Sequence, residues 1–79
     1  MTEAITLLGS TGSIGRQTLA VCAHLGIKVR ALTAGQNKEL LYEQALRFQP
    51  EMISIEREED AAELQMRLSD LRLPITVLH

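Results

Sequence analysis

Three glycines spaced three residues apart are the part of this sequence best suited to binding a ligand. Gly9, Gly12 and Gly15 follow the apolar run Ile5 to Leu8 and precede a segment with helical periodicity. The first glycine permits a sharp bend, the second lets a phosphate approach the main chain, and the third lets a helix pack closely against the strand. The amides of residues 13–15 would then have no acceptor within the helix and would face an anion with the positive end of the helix dipole. The pattern predicts a turn that binds the pyrophosphate of a dinucleotide.

Two other interpretations of this glycine turn were weighed. In the usual dinucleotide fingerprint the first two glycines are two residues apart, whereas here they are three apart, so a strand-to-helix turn without a ligand stays an alternative. An ATP-binding P-loop does not fit, because Arg16 and Gln17 follow Gly15 where Lys and then Ser or Thr are required.

The elements around the turn follow from apolar periodicity. A first strand is predicted over Ile5 to Leu8, a helix over Ser13 to Leu25 with a Thr11 or Ser13 cap, and a second strand over Ile27 to Ala34. Gly26 is suited to end the helix in the left-handed conformation. The predicted buried stripe of this helix consists of Ile14, Thr18, Val21, Cys22 and Leu25.

The pattern then repeats along the chain. We predict a helix capped by Asn37 with Leu41, Ala45 and Phe48 on one face, a strand over Met52 to Ile55, a helix from about Glu58 to Leu71, and a strand over Ile75 to Leu78. The order βαβαβαβ is typical of an α/β fold, here a partial Rossmann-like three-layer parallel sheet. The fourth strand could lie outside the third strand or back beside the first, and the outer position is preferred. The first strand is then at an open edge, so the isolated chain should be marginally stable or associate edge to edge.

Composition excludes several classes of function. The net charge of −2 and the scattered Lys and Arg residues argue against a nucleic-acid surface. No apolar run approaches the roughly 20 residues of a membrane span, and the single Cys22 cannot form an internal disulfide, so a cytoplasmic location is expected. The acidic run Glu56 to Asp60 is interpreted as the start of a helix rather than a metal site. We assign no catalytic or metal-binding residue, and His24 and His79 receive no catalytic role.

The turn after the second predicted strand favours NADPH over NADH. An NAD-selective site has an acidic residue there, about 20 residues after the glycines, to bind the ribose 2′-hydroxyl. Residues 33–38 contain no carboxylate. The amides of Gly35 to Asn37 suit a 2′-phosphate instead, with Lys38 or Arg30 as a nearby positive charge.

The sequence Leu8-Gly9-Ser10-Thr11-Gly12-Ser13-Ile14-Gly15 followed by Gln17-Thr18-Leu19, the turn Ala34-Gly35-x-Asn37 and the Phe48-x-Pro50 segment resemble the N-terminal part of the 1-deoxy-D-xylulose 5-phosphate reductoisomerases. The resemblance implies that Thr11, Gly12, Ser13 and Ile14 contact the cofactor pyrophosphate and its surroundings, and that Gly35, Gln36 and Asn37 contact the 2′-phosphate. The family commonly has Lys or Arg where this chain has Gln36, and Lys38 is the candidate to replace that charge.

The resemblance also implies a reaction. Members of that family rearrange 1-deoxy-D-xylulose 5-phosphate and reduce the product with NADPH to 2-C-methyl-D-erythritol 4-phosphate, with a divalent metal, Mg or Mn, that polarises the substrate. It implies a homodimer in which residues 1–79 form the N-terminal part of the NADPH-binding domain, with the catalytic and C-terminal domains outside this chain. The 79-residue chain alone should then be inactive. A semialdehyde or short-chain type reductase and a stand-alone nucleotide-binding module are the alternatives.

Overall fold

Four strands and three helices alternate along the chain. The computed structural model describes residues 4–79, and the elements in chain order are β1 (Ala4–Leu7), α1 (Ser13–Leu25), β2 (Lys28–Ala34), α2 (Lys38–Phe48), β3 (Met52–Ile55), α3 (Glu58–Asp70) and β4 (Thr76–Leu78). The predicted βαβαβαβ order is therefore confirmed, and most element ends differ from the predicted ones by a residue or less.

The strands form one parallel sheet in the order β1-β2-β3-β4. Register places Leu7 beside Leu32, Leu32 beside Ile53 and Ile53 beside Val77. One irregularity interrupts the pairing of β1 with β2 between Ile5 and Thr6. β4 lies outside β3, as predicted, so β1 forms one edge of the sheet and its carboxyl end is next to that of β2.

The three helices belong to one layer, so residues 4–79 contain two layers, the sheet and the helices, of the three that were expected. Each crossover leads to the next strand in the same direction, and right-handed crossovers place all three helices on the same face of the sheet. Strand residues that face this layer are buried or half-buried, whereas residues such as Thr6, Met52 and Thr76 face the other side and are exposed. The core between sheet and helices consists mainly of aliphatic residues, among them Leu19, Val29, Leu32, Leu41, Ile53, Ile55, Leu64 and Leu68.

The predicted buried stripe of α1 is wrong for most of its residues. The side that meets the sheet consists of Gly15, Leu19 and Cys22. Ile14 is 79% exposed, and Val21 and Leu25 are also exposed. The two stripes are rotated relative to each other because Gly15, which lacks a side chain, lies close against the backbone of the turn at Gly9 and Ser10 and fixes which side of the helix faces inward.

The C-terminal end of α1 and the starts of α2 and α3 agree with the expectations. Gly26 ends α1 in the left-handed conformation at φ 70°, and Asn37 caps α2 by accepting a hydrogen bond from the Leu40 amide at 3.2 Å. Acidic residues occupy the first turn of α3, where they face the positive end of its dipole. None of the helices between residues 4 and 79 has the length and apolar character needed to cross a bilayer.

Candidate functional site

Two turns lie side by side at the carboxyl ends of β1 and β2. The first, residues 8–12, joins β1 to α1, and the second, residues 35–37, joins β2 to α2. Because β1 and β2 are parallel neighbours, the two turns open at the same edge of the sheet. This is the position at which parallel α/β sheets bind their ligands.

The first turn depends on glycine at two positions. Gly9 has φ of 70°, a left-handed conformation that residues with a Cβ rarely adopt. At Gly15 a Cβ atom would overlap the Gly9 carbonyl oxygen and would lie 2.8 Å from the Ser10 Cα. Since those neighbours are backbone atoms, they cannot move away as a flexible side chain could. The third glycine thus permits a close approach of the helix, and this approach is to the backbone of the turn at Gly9 and Ser10.

The start of α1 leaves backbone amides available for an anion. The first helical hydrogen bond runs from the Arg16 amide to the Gly12 carbonyl at 2.9 Å, so the amides of residues 13–15 precede it. The N-cap residue is Gly12, in an extended conformation, and no side chain caps the helix. The predicted cap by Thr11 or Ser13 is therefore wrong. The helix end is left open to a ligand because neither hydroxyl occupies the position of a capping acceptor.

Three hydrogen bonds hold the first turn to the second βα unit. The Gly9 amide donates to Thr33 Oγ1 at 3.1 Å, and the Ser10 amide donates to the Thr33 carbonyl at 2.8 Å. From α2, Gln44 Nε2 donates to the Ser10 carbonyl at 2.8 Å. Ser10 is fully buried and Gln44 is 7% exposed. Neither Thr33 nor Gln44 was identified from the sequence. A single sequence does not show which backbone carbonyl a helix side chain will contact when the two residues are 34 positions apart.

The second turn is exposed at all three of its residues, Gly35, Gln36 and Asn37. Its shape is set by backbone contacts: the Glu56 amide donates to the Gly35 carbonyl at 3.1 Å, and the Lys38 amide donates to the Gln36 carbonyl at 3.0 Å. Asn37 Oδ1 is engaged as the cap of α2, which leaves its amide nitrogen free of that bond. The turn therefore offers polar groups on a fixed backbone.

A carboxylate lies beside this turn although residues 33–38 contain none. Glu56 follows β3, and its Oε2 atom is 3.8 Å from the position that a Cβ at Gly35 would occupy. Parallel pairing of Ala34 with Ile55 brings the ends of β2 and β3 together. NADPH was favoured because residues 33–38 contain no acidic residue. That absence holds for one turn of the sequence and not for the assembled site. The signal that could have revealed Glu56 is its position immediately after a predicted neighbouring strand.

The positive charges near the second turn are largely paired elsewhere. Lys38 Nζ hydrogen bonds to Glu63 Oε1 at 2.9 Å and lies 3.7 Å from Asp60 Oδ1, both on α3. The hydrogen bond with Glu63 raises the pKa of Lys38, and the same bond lowers the pKa of the Glu63 carboxyl. Arg30 forms an ion pair with Glu51 at 3.2 Å. Glu51 lies at the amino end of β3, and Arg30 lies four residues before the end of β2.

Arg67 extends this set of charges between α2 and α3. Its guanidinium is 3.0 Å from Glu39 Oε1 and 3.4 Å from Glu63 Oε2, and it stacks over the Tyr42 ring with 3.8 Å to the centroid. The hydrogen bond to Glu39 raises the pKa of Arg67. We call Lys38, Glu39, Asp60, Glu63 and Arg67 the α2–α3 charge cluster. Its contacts fix α2 against α3 and thereby the position of the second turn.

Residues 4–79 contain no group of three or more His, Cys, Asp and Glu side chains arranged to hold a metal ion. A cavity of about 280 Å³ lies between α1 and α2, with Arg16, Leu19, Leu40 and Phe48 among its lining residues. It is a groove between two helices and not part of the strand-end crevice. The chemistry available at that crevice is the binding of a phosphorylated, nucleotide-like molecule.

Comparison with known proteins gives a consistent result. The family model for 1-deoxy-D-xylulose 5-phosphate reductoisomerase matches residues 5–79. A reductoisomerase of this type from Acetivibrio thermocellus is 51% identical over 70 residues, which cover 89% of this chain and 18% of the relative. One from Ruminiclostridium cellulolyticum is 44% identical over 75 residues, which cover 95% of this chain and 20% of the relative.

The fold has close counterparts among solved structures. A crystal structure of DOX-P reductoisomerase in complex with NADPH, fosmidomycin and magnesium superimposes with a TM-score of 0.87 at 29% identity, over 96% of this chain and 19% of that protein. The chain thus spans about a fifth of the length of the proteins that it matches.

Proposed function

This chain belongs to the 1-deoxy-D-xylulose 5-phosphate reductoisomerase family, and on this basis we propose that residues 1–79 are the N-terminal part of the NADPH-binding domain of such an enzyme. The observation that carries the proposal is the pair of turns at the carboxyl ends of β1 and β2, one with free helical amides and one with exposed polar groups. The remainder of the enzyme, in this proposal, supplies the catalytic and C-terminal domains.

The first turn suits a pyrophosphate. Gly12 has no side chain, and a Cβ there would stand 3.6 Å from the Gly9 carbonyl oxygen, at the mouth of the turn. With the amides of Ser13 and Ile14 before the first helical bond, the turn provides donors and space in one place. We assign Thr11, Gly12, Ser13 and Ile14 to the pyrophosphate and its surroundings. The exposure of Ile14 suits a residue that is covered when the cofactor binds.

The second turn suits the adenosine ribose and its 2′-phosphate. We assign Gly35, Gln36 and Asn37 to this part of the cofactor, because the amides and side-chain amides of an exposed turn can donate to phosphate oxygens. Gln36 is neutral and Lys38 is already paired with α3. Hydrogen bonding therefore contributes more to this contact than a dedicated positive charge.

We propose that the whole enzyme converts 1-deoxy-D-xylulose 5-phosphate to 2-C-methyl-D-erythritol 4-phosphate. NADPH, when bound, supplies the hydride for the reduction. The residues described here orient the cofactor by its phosphates, and none of them is assigned to the chemical step. The proposed Mg or Mn ion is assigned to the rest of the enzyme, as the family resemblance implies. The cytoplasmic location and homodimeric state expected from the sequence are part of the same proposal.

The experiment is a comparison of the full-length enzyme with the 79-residue chain. We expect the full-length protein to bind NADPH more tightly than NADH by calorimetry and to form the methylerythritol phosphate product with Mg²⁺ or Mn²⁺. We expect no product from the isolated chain. Full-length protein that binds neither nucleotide would contradict the proposed function. Turnover by the isolated chain would contradict the proposal that the catalytic domain lies outside residues 1–79.

A further inference from the structure

Among the described residues, Gln44 makes the one side-chain hydrogen bond from α2 to the glycine turn. It lies two helical turns after the second turn, and its Nε2 donates to the Ser10 carbonyl at 2.8 Å. Both residues are buried, with Ser10 fully enclosed. A polar side chain is costly to bury unless it forms hydrogen bonds, so the placement of glutamine at this point of the core calls for a reason beyond packing.

We propose that Gln44 is a positioning residue for the cofactor, which holds the glycine turn in the conformation that receives the pyrophosphate. This inference rests on the proposed function and assigns a role within its site. Gln44 fixes the Ser10 carbonyl, and Ser10 stands between the Gly9 bend and the Gly12 N-cap. A change in the orientation of this carbonyl would therefore rotate the peptide units that precede the free amides of α1.

Thr33 holds the same turn from the other side. It accepts hydrogen bonds from the Gly9 and Ser10 amides, so the amides of the turn are tied to β2 while its carbonyl is tied to α2. Thr33 and Gln44 flank the second turn along the chain. The two halves of the cofactor site are consequently one unit: movement of α2 is transmitted to the pyrophosphate turn through Gln44.

Two further polar atoms at this contact could form hydrogen bonds. Ser10 Oγ and Gln44 Oε1 are both buried and have no hydrogen-bond partner among the described residues. One is a donor and the other an acceptor, at the two residues that already share a hydrogen bond. A glutamine that only filled space would be replaceable by Leu or Met. A positioning glutamine would not be, because the Ser10 carbonyl would lose its donor.

The chain offers a matched control in Gln65. This residue of α3 donates to the Ile75 carbonyl at 3.2 Å and accepts from the Val77 amide at 3.2 Å, so it links a helix to a strand segment just as Gln44 links a helix to a turn. Gln65 lies on the β4 side of the sheet, remote from both turns. Its replacement tests what the loss of a half-buried, hydrogen-bonded glutamine does to stability alone.

The experiment measures binding, by calorimetry on the full-length enzyme, of NADPH and of adenosine 2′-monophosphate. NADPH spans both turns, whereas the monophosphate reaches only the second. We expect Gln44→Leu to weaken NADPH binding about tenfold, the effect of one lost hydrogen bond to a buried group, and to change monophosphate binding by less than about twofold. Gln65→Leu should lower the unfolding temperature and leave the affinity for both ligands unchanged.

A second variant covers the case in which Gln44→Leu does not fold. In Gln44→Glu, a protonated carboxyl can still donate to the Ser10 carbonyl, whereas a carboxylate would repel it. Burial favours the protonated form, so the ratio of variant to wild-type NADPH affinity should be near one at about pH 6 and fall by about pH 9. A ratio independent of pH would overturn the inference, as would equal losses for both ligands in Gln44→Leu or full retention of NADPH affinity. Wild-type enzyme that does not bind NADPH would instead contradict the proposed function.

Discussion

The two turns at the sheet edge are built in opposite ways. The glycine turn is anchored by three hydrogen bonds to the second βα unit and contains a fully buried residue, Ser10. The second turn is exposed at each of its residues, and its charged surroundings come from β3 and α3. The glycine turn is held by its backbone, and this restricts which residues can form it. The exposed second turn, whose side chains are proposed to bind a phosphate, leaves room for substitution.

The consequence for function concerns what each turn can recognise. Free amides at a helix start bind phosphate oxygens of any dinucleotide, since every such cofactor has a pyrophosphate. In the proposed site the second turn meets the ribose, so discrimination between NADPH and NADH would be left to that turn. Changes in the first turn should therefore affect folding or all nucleotides alike, and changes in the second should alter the preference between nucleotides.

The largest expected effect comes from Gly15→Ala. The new methyl group would overlap the Gly9 carbonyl, and the helix would have to move away from the turn. We expect a loss of at least about 3 kcal/mol in the free energy of unfolding, or failure to fold. Denaturant titration of the full-length protein measures it. Normal stability in this variant would mean that the close approach of α1 to the turn is not required.

Gly12→Ala separates binding from folding within the same turn. Its φ of −76° suits alanine, and the methyl group would stand 3.6 Å from the Gly9 carbonyl oxygen, an ordinary contact. We expect stability within about 1 kcal/mol of wild type. NADPH and NADH affinity should both fall on the order of tenfold, because the methyl group occupies the space for the pyrophosphate. A loss confined to NADPH would contradict the division between the turns.

Asn37 in the second turn permits a matched pair of variants. Asn37→Ala removes the cap on the Leu40 amide and should cost about 1 kcal/mol of stability. Asn37→Asp keeps a capping oxygen but adds a negative charge beside the proposed 2′-phosphate. We expect near-normal stability and weaker binding of NADPH alone. Thermal unfolding and nucleotide titration check the two effects, and equal weakening of NADH would count against the assignment of Asn37.

Glu56→Gln should act in the opposite direction. The Glu56 carboxylate lies beside Gly35 and would repel a 2′-phosphate, so its neutralisation should strengthen binding of 2′,5′-ADP by about threefold at low salt. Binding of 5′-ADP, which lacks the 2′-phosphate, provides the control. The gain should diminish as salt is added. An unchanged ratio of the two affinities would show that the carboxylate is directed away from the bound ribose.

The smallest effect is expected from Lys38→Gln. The Lys38 charge is paired with Glu63, so the preference for NADPH over NADH should change by less than about twofold. A much larger loss for NADPH would restore Lys38 as the substitute for a basic residue at position 36.

The Lys38–Glu63 ion pair should make the stability of the protein depend on pH. The lowered pKa of Glu63 means that this contact contributes stability above the ordinary carboxyl pKa and loses it as the pH falls through the lowered value. The stability difference between wild type and Lys38→Gln should therefore shrink on acidification, as measured by urea midpoints at neutral and acidic pH. A difference that stays constant would mean that the pair contributes nothing to stability.

The sequence determined those features that depend on neighbouring residues. The order of elements, the end of α1 at Gly26, the Asn37 cap and the tight glycine turn each follow from a few consecutive side chains, and all are present. The sequence pattern left two places open for β4, outside β3 or beside β1, and the preference for the outer place, which came from the family resemblance, is confirmed. The motif Leu8 to Gly15 led to the family that the comparisons found.

Tertiary structure decided what depends on residues far apart in the chain. The inward side of α1 was set by contact of Gly15 with the turn, and not by its most apolar stripe, so Ile14 and Val21 are exposed. Gln44 reached the Ser10 carbonyl and Glu56 reached Gly35 only because parallel strand pairing brings successive βα units together at one edge. Periodicity records which residues share a face of an element, whereas the partner of that face is fixed by the packing of the whole sheet.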